Sequence, residues 1–192
     1  MTRSRREAIV EAAARLFAQR GYPATGMDDI GAAAGITGPG VYRHFENKND
    51  VLGEIVRRAV DDVLGGVSTV VEARDSDWEV LEGLVANMVD HVLDDRASWA
   101  VVVREQRHLD PASQRALGKA HRQHIEEWVH ALSGARADLT GPQVRVLVAG
   151  VLGVVAPFAL RPQDGPNRAR TKELVTASAM AVLRQTQPDR VR

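Results

Sequence analysis

Tyr42, Arg43 and His44 stand together in the stretch G-P-G-V-Y-R-H-F, with Lys48 shortly after them. A tyrosine has the reach and the hydroxyl to meet a phosphate oxygen, and a lysine brings a point charge to the same target. Contacts of that kind position a protein on nucleic acid without reading its sequence. An arginine fork matches the acceptors of guanine, so Arg43 and His44 are the candidates for base edges. Thr25 offers a further hydroxyl to a phosphate backbone, and the Thr37 hydroxyl either caps a helix or touches DNA. Gly38 and Gly40 leave the turn ahead of Tyr42 bare of side chains, which allows the main chain itself to lie against DNA.

A second constellation is Glu105-x-x-His108 with Glu127-x-x-His130, the spacing used by metal-carboxylate helical bundles. The stripe Leu117, His121, Ile125 and Trp128 turns His130 to the opposite, solvent face, and two such pairs arise readily by chance among six histidines. His121 and His124 share a helix face but have no evident third ligand. No phosphate-binding Gly-rich loop follows a strand, and no nucleophile elbow is present. No catalytic residue, metal or cofactor is expected.

The elements that must carry the first constellation are short. Residues 27–34 read as a helix with Ile30, Ala33 and Ala34 on its buried face. Gly35 stands where a helix end takes a left-handed residue. Ile36 plugs the corner, Thr37 caps a second helix over 38–45, and Asn47 caps a third with Asp50 in its first turn. Helix, Gly turn and short helix form a helix-turn-helix, whose second helix enters the major groove. Ahead of it, Ser4-Arg5-Arg6-Glu7 matches a capping box, and Ile9, Ala13, Leu16, Phe17 and Arg20 give one buried helical face. Arg3, Arg5 and Arg6 read either as an arm near a phosphate backbone or as a solvated tail.

The segments A-A-R-L-F-A-Q-R-G-Y at 13–22, A-T-G-M-D-D-I-G-A-A-A-G-I-T at 24–37 and V-Y-R-H-F-E-N-K at 41–48 resemble the DNA-binding domain of TetR/AcrR-type regulators. The resemblance covers roughly residues 5–55. It implies an all-α protein with a helix-turn-helix head at 1–48 and a helical ligand-binding and dimerisation domain at 49–187, while residues 188–192 read as a disordered tail. It also implies phosphate contacts for Tyr42, Lys48 and Thr25, and a double-stranded operator as partner. Two departures from the family pattern stand out. Gly26 occupies the position where Ser or Thr commonly caps the second helix, and Gly38-Pro39-Gly40 is poor in helix formers. Base readout then rests on few side chains.

Composition sets independent bounds. A chain of 192 residues, 44% hydrophobic and 26% charged, is long enough for a helical core. The absence of Cys excludes disulfides, thiolate chemistry and Cys-based metal sites. Net charge is zero, which argues against a generic nucleic-acid coat. Within residues 1–50, seven cations (Arg3, Arg5, Arg6, Arg15, Arg20, Arg43, Lys48) face six carboxylates (Glu7, Glu11, Asp28, Asp29, Glu46, Asp50), so DNA affinity must come from local placement. The N-terminus leads into an amphipathic helix without an apolar signal core. The longest apolar run, Val146 to Leu160, has 15 residues and contains Pro157. A membrane span takes about 20, so the run reads as a buried helix in a cytoplasmic protein with no membrane partner.

Beyond the head, the helix from Lys48 continues through Leu52, Ile55, Val56, Ala59, Val60, Val63 and Leu64. Gly65-Gly66 reads as a hinge or a fraying end. Helical segments follow from Ser76, over 97–109, from Pro111, from Thr140 to Leu160 and over 170–185, with no strand pattern. Met88, Trp99, Val102, Trp128 and Phe158 can line an apolar cavity with Glu105, His121 or Gln106 as polar anchors. The resemblance implies a small hydrophobic or amphipathic effector there that releases a repressor from its operator, and the apolar lining points to a lipid-like molecule such as an acyl thioester. Val144, Leu147, Val148, Val151, Leu152 and Val155 lie on a helix apolar nearly all round. With Leu174, Ala177, Ser178, Ala181 and Val182 they are expected to form a homodimer interface that sets two recognition helices about one DNA turn apart. The alternatives are a ligand-independent DNA-binding protein and a metal-carboxylate bundle enzyme.

Overall fold

The computed structural model describes residues 4–72, 76–161 and 167–185. Arg3, the loop 162–166 and the tail 188–192 lie outside the described residues. Among those described the chain is helical throughout: α1 Arg5–Arg20, α2 Met27–Ala33, α3 Gly38–Val41, α4 Lys48–Glu72, α5 Asp77–Asp94, α6 Arg96–Glu105, α7 Pro111–Ala135, α8 Gly141–Val155 and α9 Arg168–Arg184. The helices gather into two compact units that do not follow chain order. One holds residues 1–62 and 95–121, the other 63–94 and 122–192. The boundary expected at residue 48 is therefore not where compactness divides. α6 packs along α1, and Val101 and Leu109 are buried in one core with Ile9, Phe17, Ile30, Val41, Phe45, Leu52 and Ile55.

In the first unit α1 starts at the expected capping box. The Ser4 hydroxyl accepts from the Glu7 amide at 3.2 Å, and the Glu7 carboxylate accepts from the Ser4 amide at 2.9 Å. Its buried face includes Ile9, Ala13, Leu16 and Phe17, but Arg20 is exposed and lies 3.9 Å from Asp29. A guanidinium at the last turn of a helix escapes to water more cheaply than it is buried. Gly26 lacks a capping side chain, and the Asp29 carboxylate compensates by accepting its amide at 2.8 Å. In α2 the buried residues are Met27, Ile30 and Gly31, while Ala33 is exposed and Ala34 half-buried. The stripe is set from Met27, and Ala33 falls on the other side of the helix.

The turn follows expectation. Gly35 has φ +69°, a conformation that costs other residues about 1–2 kcal/mol. Gly31 faces the main chain of the next helix so closely that an added Cβ would stand 2.9 Å from the Gly38 nitrogen. Thr37 caps α3 by accepting from the Gly40 amide at 3.3 Å. That helix ends at Val41, short of the expected Phe45. Gly-Pro-Gly brings little helix propensity, and the His44 amide turns back to the Val41 carbonyl at 2.9 Å, tightening the last turn. Asn47 caps α4, its side-chain oxygen accepting from the amides of Asn49 (2.8 Å) and Asp50 (3.0 Å).

In the second unit the Gly65-Gly66 pair is not a frayed end, because α4 continues to Glu72. Gly66 is where a neighbour approaches: an added Cβ would collide with the Asn87 amide, which donates to the Val63 carbonyl at 3.0 Å. α5 opens with a capping box between Ser76 and Glu79, and at the start of α8 the Gln143 side chain accepts from the Thr140 amide at 2.7 Å. α8 ends at Val155, and Pro157 lies in a short 3-10 turn over Ala156–Leu160. An 18-residue window of the segment Gly141–Leu160 reaches mean hydropathy 1.9, and the segment is long and apolar enough by composition to cross a membrane. Its α-helical part is 15 residues.

The side chains of α8 separate into two faces. Val144, Val148, Val151 and Val155 are buried within the unit, at the spacing of one stripe against α5 and α9. This corrects their expected place in a dimer interface. Leu147 and Leu152 are half-buried, and Val146 is 69% exposed. On α9, Val175, Ala179, Met180 and Leu183 point inward, whereas Leu174, Ala177, Ser178 and Ala181 are exposed.

Candidate nucleic-acid interface

The exposed turn that leaves α3 carries the interface. Tyr42 is 55% exposed, an unusual state for a large aromatic side chain, and Arg43 beside it is exposed. His44 is half-buried. Thr37 is exposed, and its oxygen already serves as the helix cap, which leaves its proton to donate. Gly40 is half-buried, but Gly38 is buried against the Asp28 side chain. Gly38 therefore serves the close packing of α2 on α3 instead of an approach to DNA. Of the residues expected to meet DNA, those whose charged or hydroxyl groups are left fully facing solvent are Tyr42, Arg43 and Thr37.

Two expected phosphate ligands are engaged elsewhere. Thr25 is 1% exposed, and its hydroxyl donates to the Gly21 carbonyl at 3.0 Å. The Lys48 ammonium donates to the carbonyls of Tyr22 and Thr25, both at 2.8 Å, and lies 4.4 Å from the centre of the Tyr22 ring. The free point charge expected at Lys48 is thus a clasp between the first turn of α4 and the loop that enters α2. Asn49 extends the clasp, accepting from the Asp110 amide at 3.0 Å and donating to the His108 carbonyl at 2.5 Å. Tyr22 stacks on the His108 ring with centroids 5.1 Å apart. No local signal announces these contacts, because Asn49 and His108 are far apart in sequence.

The expected arginine arm is also reassigned. Arg5 is exposed, but Arg6 donates to the His44 carbonyl at 2.6 Å and lies 4.1 Å from the Phe45 ring centre. It also stands 3.7 Å from Glu54, which pairs with Arg57 and Arg58 at 3.0 and 2.7 Å. Burial pushes the Glu54 carboxyl up, and hydrogen bonds from Arg58 and Arg57 outweigh it and hold it below its ordinary value.

The residues expected to line an effector cavity divide between the units. Trp99, Val102, Glu105 and His121 belong to the first, and Met88, Trp128 and Phe158 to the second. Met88 and Trp128 are buried, and Trp99, Val102 and Phe158 are half-buried. His121 is exposed, and the buried histidine is His124, which accepts from the Trp128 indole at 3.0 Å. The i, i+4 spacing of His124 and Trp128 was the available signal for that pair. Gln106 is exposed, because α6 buries Ser98, Val101 and Glu105 instead. Within the first unit α4 and α7 enclose a cleft of about 350 Å³, floored by Val56, Val60, Leu109 and Leu117.

The metal constellation is also divided, since Glu105 and His108 lie in the first unit and Glu127 and His130 in the second. Glu105 and His108 approach to 3.6 Å, beyond hydrogen-bonding distance. His130 is exposed, and among the described residues no three metal-ligating groups converge.

An all-helical chain with an N-capped helix-turn-helix and an exposed Tyr-Arg turn at its end has the build of a DNA-binding regulator. Residues 9–55 match the model of the bacterial regulatory proteins of the tetR family. The transcriptional repressor KstR2 of Rhodococcus jostii is 32% identical over 136 residues, which span 70% of this chain and 66% of the repressor. In fold, the ketosteroid transcriptional regulator KstR2 of Mycobacterium tuberculosis superposes with a TM-score of 0.83 over 95% of both chains at 24% identity. AibR, in its complex with isovaleryl coenzyme A and operator DNA, superposes with a TM-score of 0.79 over 93% of this chain and 97% of its own, also at 24% identity. The chain belongs to the TetR family, whose matched members are transcription regulators and not enzymes.

Proposed function

We propose that the chain is a homodimeric transcriptional repressor that grips operator DNA through the turn after α3 and lets go when a small amphipathic effector binds. The observation that carries this reading is the exposure of Tyr42 and Arg43 at the end of a capped helix-turn-helix. Tyr42 and Thr37 meet phosphates, and Arg43 with His44 reads base edges. Repression is favoured over activation by the likeness to the KstR2 repressor.

Dimerisation is supported by the face that α8 and α9 leave open. Val146 is 69% and Leu174 47% exposed, and Ala177, Ser178 and Ala181 beside Leu174 on α9 are small enough for close helix approach. A second copy on this face buries that apolar surface and gives the two heads the two-fold symmetry of an operator. The effector is an amphipathic molecule, with an acyl thioester as the first class to try because a structural neighbour was solved with isovaleryl coenzyme A. The protein acts in the cytoplasm, where operator DNA is found.

Fluorescence anisotropy on duplexes from upstream of its own gene, over a salt series, tests the reading. Saturable binding is expected to survive competitor DNA, to strengthen as salt falls, and to weaken in Tyr42→Phe. Ala177→Arg is expected to yield monomers in sedimentation and to lose operator binding. A protein that prefers no duplex over random DNA would refute the regulator reading. Tight operator binding indifferent to acyl thioesters and other amphipathic metabolites would favour a ligand-independent DNA-binding protein.

A further inference from the structure

We infer that Arg6 is a positioning residue for DNA reading: it clamps the turn that carries Arg43 and His44, and does not itself contact phosphate. The inference rests on the reading of this chain as a sequence-selective DNA-binding protein. Three contacts converge on one guanidinium, two from the adjacent residues His44 and Phe45 and one from Glu54 on α4. One terminal nitrogen donates to the His44 carbonyl at 2.6 Å, at the end of the exposed turn. The plane lies 4.1 Å from the centre of the Phe45 ring, which is buried in the core. The other terminal nitrogen faces Glu54 on α4 at 3.7 Å.

The turn needs such a clamp because its own backbone is weakly determined. α3 is four residues long and contains Gly38, Pro39 and Gly40, and its last turn is already tightened at His44. A short Gly-Pro-Gly helix has little intrinsic preference for one conformation. Side chains that read base edges must nevertheless be held in one geometry, since a good pair discriminates only where its donors meet the base. Arg6 supplies what α3 lacks, a charge-assisted bond to the carbonyl next to the reading side chains. Glu54 faces the other end of the guanidinium as an ion pair at 3.7 Å, and its side chain is only 11% exposed. A planar fork is required to reach carbonyl, ring and carboxylate together, so lysine is not equivalent here.

The test separates clamping from phosphate contact. The probe is the duplex that the wild-type full-length chain enriches from a random-sequence pool, compared with a scrambled duplex, by anisotropy over a salt series. Arg6→Ala is expected to lose roughly tenfold on the enriched duplex, to change little on the scrambled one, and to keep the wild-type salt slope. Arg6→Lys is expected to behave like Arg6→Ala despite its charge, and Glu54→Gln to show a smaller loss of the same kind. Thermal melting of each variant reports whether it is folded, and Arg6→Lys and Glu54→Gln carry the test if Arg6→Ala is not. Equal losses on both duplexes, with the salt slope smaller by about 0.9, would make Arg6 a phosphate contact and overturn the inference. Unchanged discrimination in every folded variant would overturn it as well. A wild-type chain that enriches no sequence would fail one step earlier, taking the regulator reading with it.

Discussion

The two compact units use their cations differently. In the first, Arg20, Arg57 and Arg58 pair with carboxylates, but Arg6 and Lys48 donate to main-chain carbonyls, at 2.6 Å to His44 and at 2.8 Å to Tyr22 and Thr25. In the second, Arg168, Lys172 and Arg184 of α9 pair with carboxylates of α5, namely Asp94, Asp90 and Glu82, the first and last through exposed side chains and Lys172 through a part-buried one. Arg136 is an exception there, donating to the carbonyls of Leu183 and Gln185 at 3.1 Å. A cation on a carbonyl fixes the path of the backbone, whereas one on an exposed carboxylate mostly holds two mobile side chains near each other. The first unit is short of regular helix where it matters, around α3, and compensates with polar bonds to the main chain. The second has long helices with buried apolar stripes, and its surface charges are accessory.

Four substitutions probe that contrast, from large effect to small. Trp128→Ala removes a fully buried indole in the second unit and is expected to cost about 3–5 kcal/mol in chemical denaturation. A loss below 1 kcal/mol would mean that packing is not what holds this unit together. Lys48→Met keeps the stem beside Tyr22 but strips the donor from two carbonyls, for an expected loss of about 1–3 kcal/mol. Its salt slope for DNA binding should stay as in wild type, and a slope reduced by one contact would return Lys48 to the phosphate backbone. Gly35→Ala meets no atom within 4 Å, so the expected loss of about 1–2 kcal/mol is backbone strain alone. An added methyl that left the melting curve unmoved would rule out the left-handed turn. Arg184→Ala, in a pair with exposures of 59% and 53%, is expected to cost at most about 1 kcal/mol. Were it to cost as much as Lys48→Met, the distinction between the two uses of charge would collapse.

Much of the head was legible because its signals are local. Ser4 and Glu7, Asn47 and Asp50, Gly35 and Thr37 act over three or four residues, and each does in the fold what its spacing implied. The errors sit where a distant partner decides. Periodicity located the apolar helix after Thr140, but it could not say which of its valines a neighbouring helix would cover. The same blindness chose His121 over His124, since the side of α7 that is buried depends on what packs against it. Ala33 and Arg20 were assigned inward by a stripe drawn from the wrong origin.

By itself the amino-acid sequence determined the helical class, the caps, the left-handed turn and the Tyr-Arg-His ridge, because each depends on interactions within a few residues along the chain. Only the tertiary structure decided that Thr25 is buried, that Lys48 and Arg6 bind carbonyls instead of offering free charge, and that α6 completes the core of the head. Those outcomes depend on groups brought together from 23, 38 and more residues apart. Which of several available partners takes a long cationic side chain is settled by packing, and no sequence period records it.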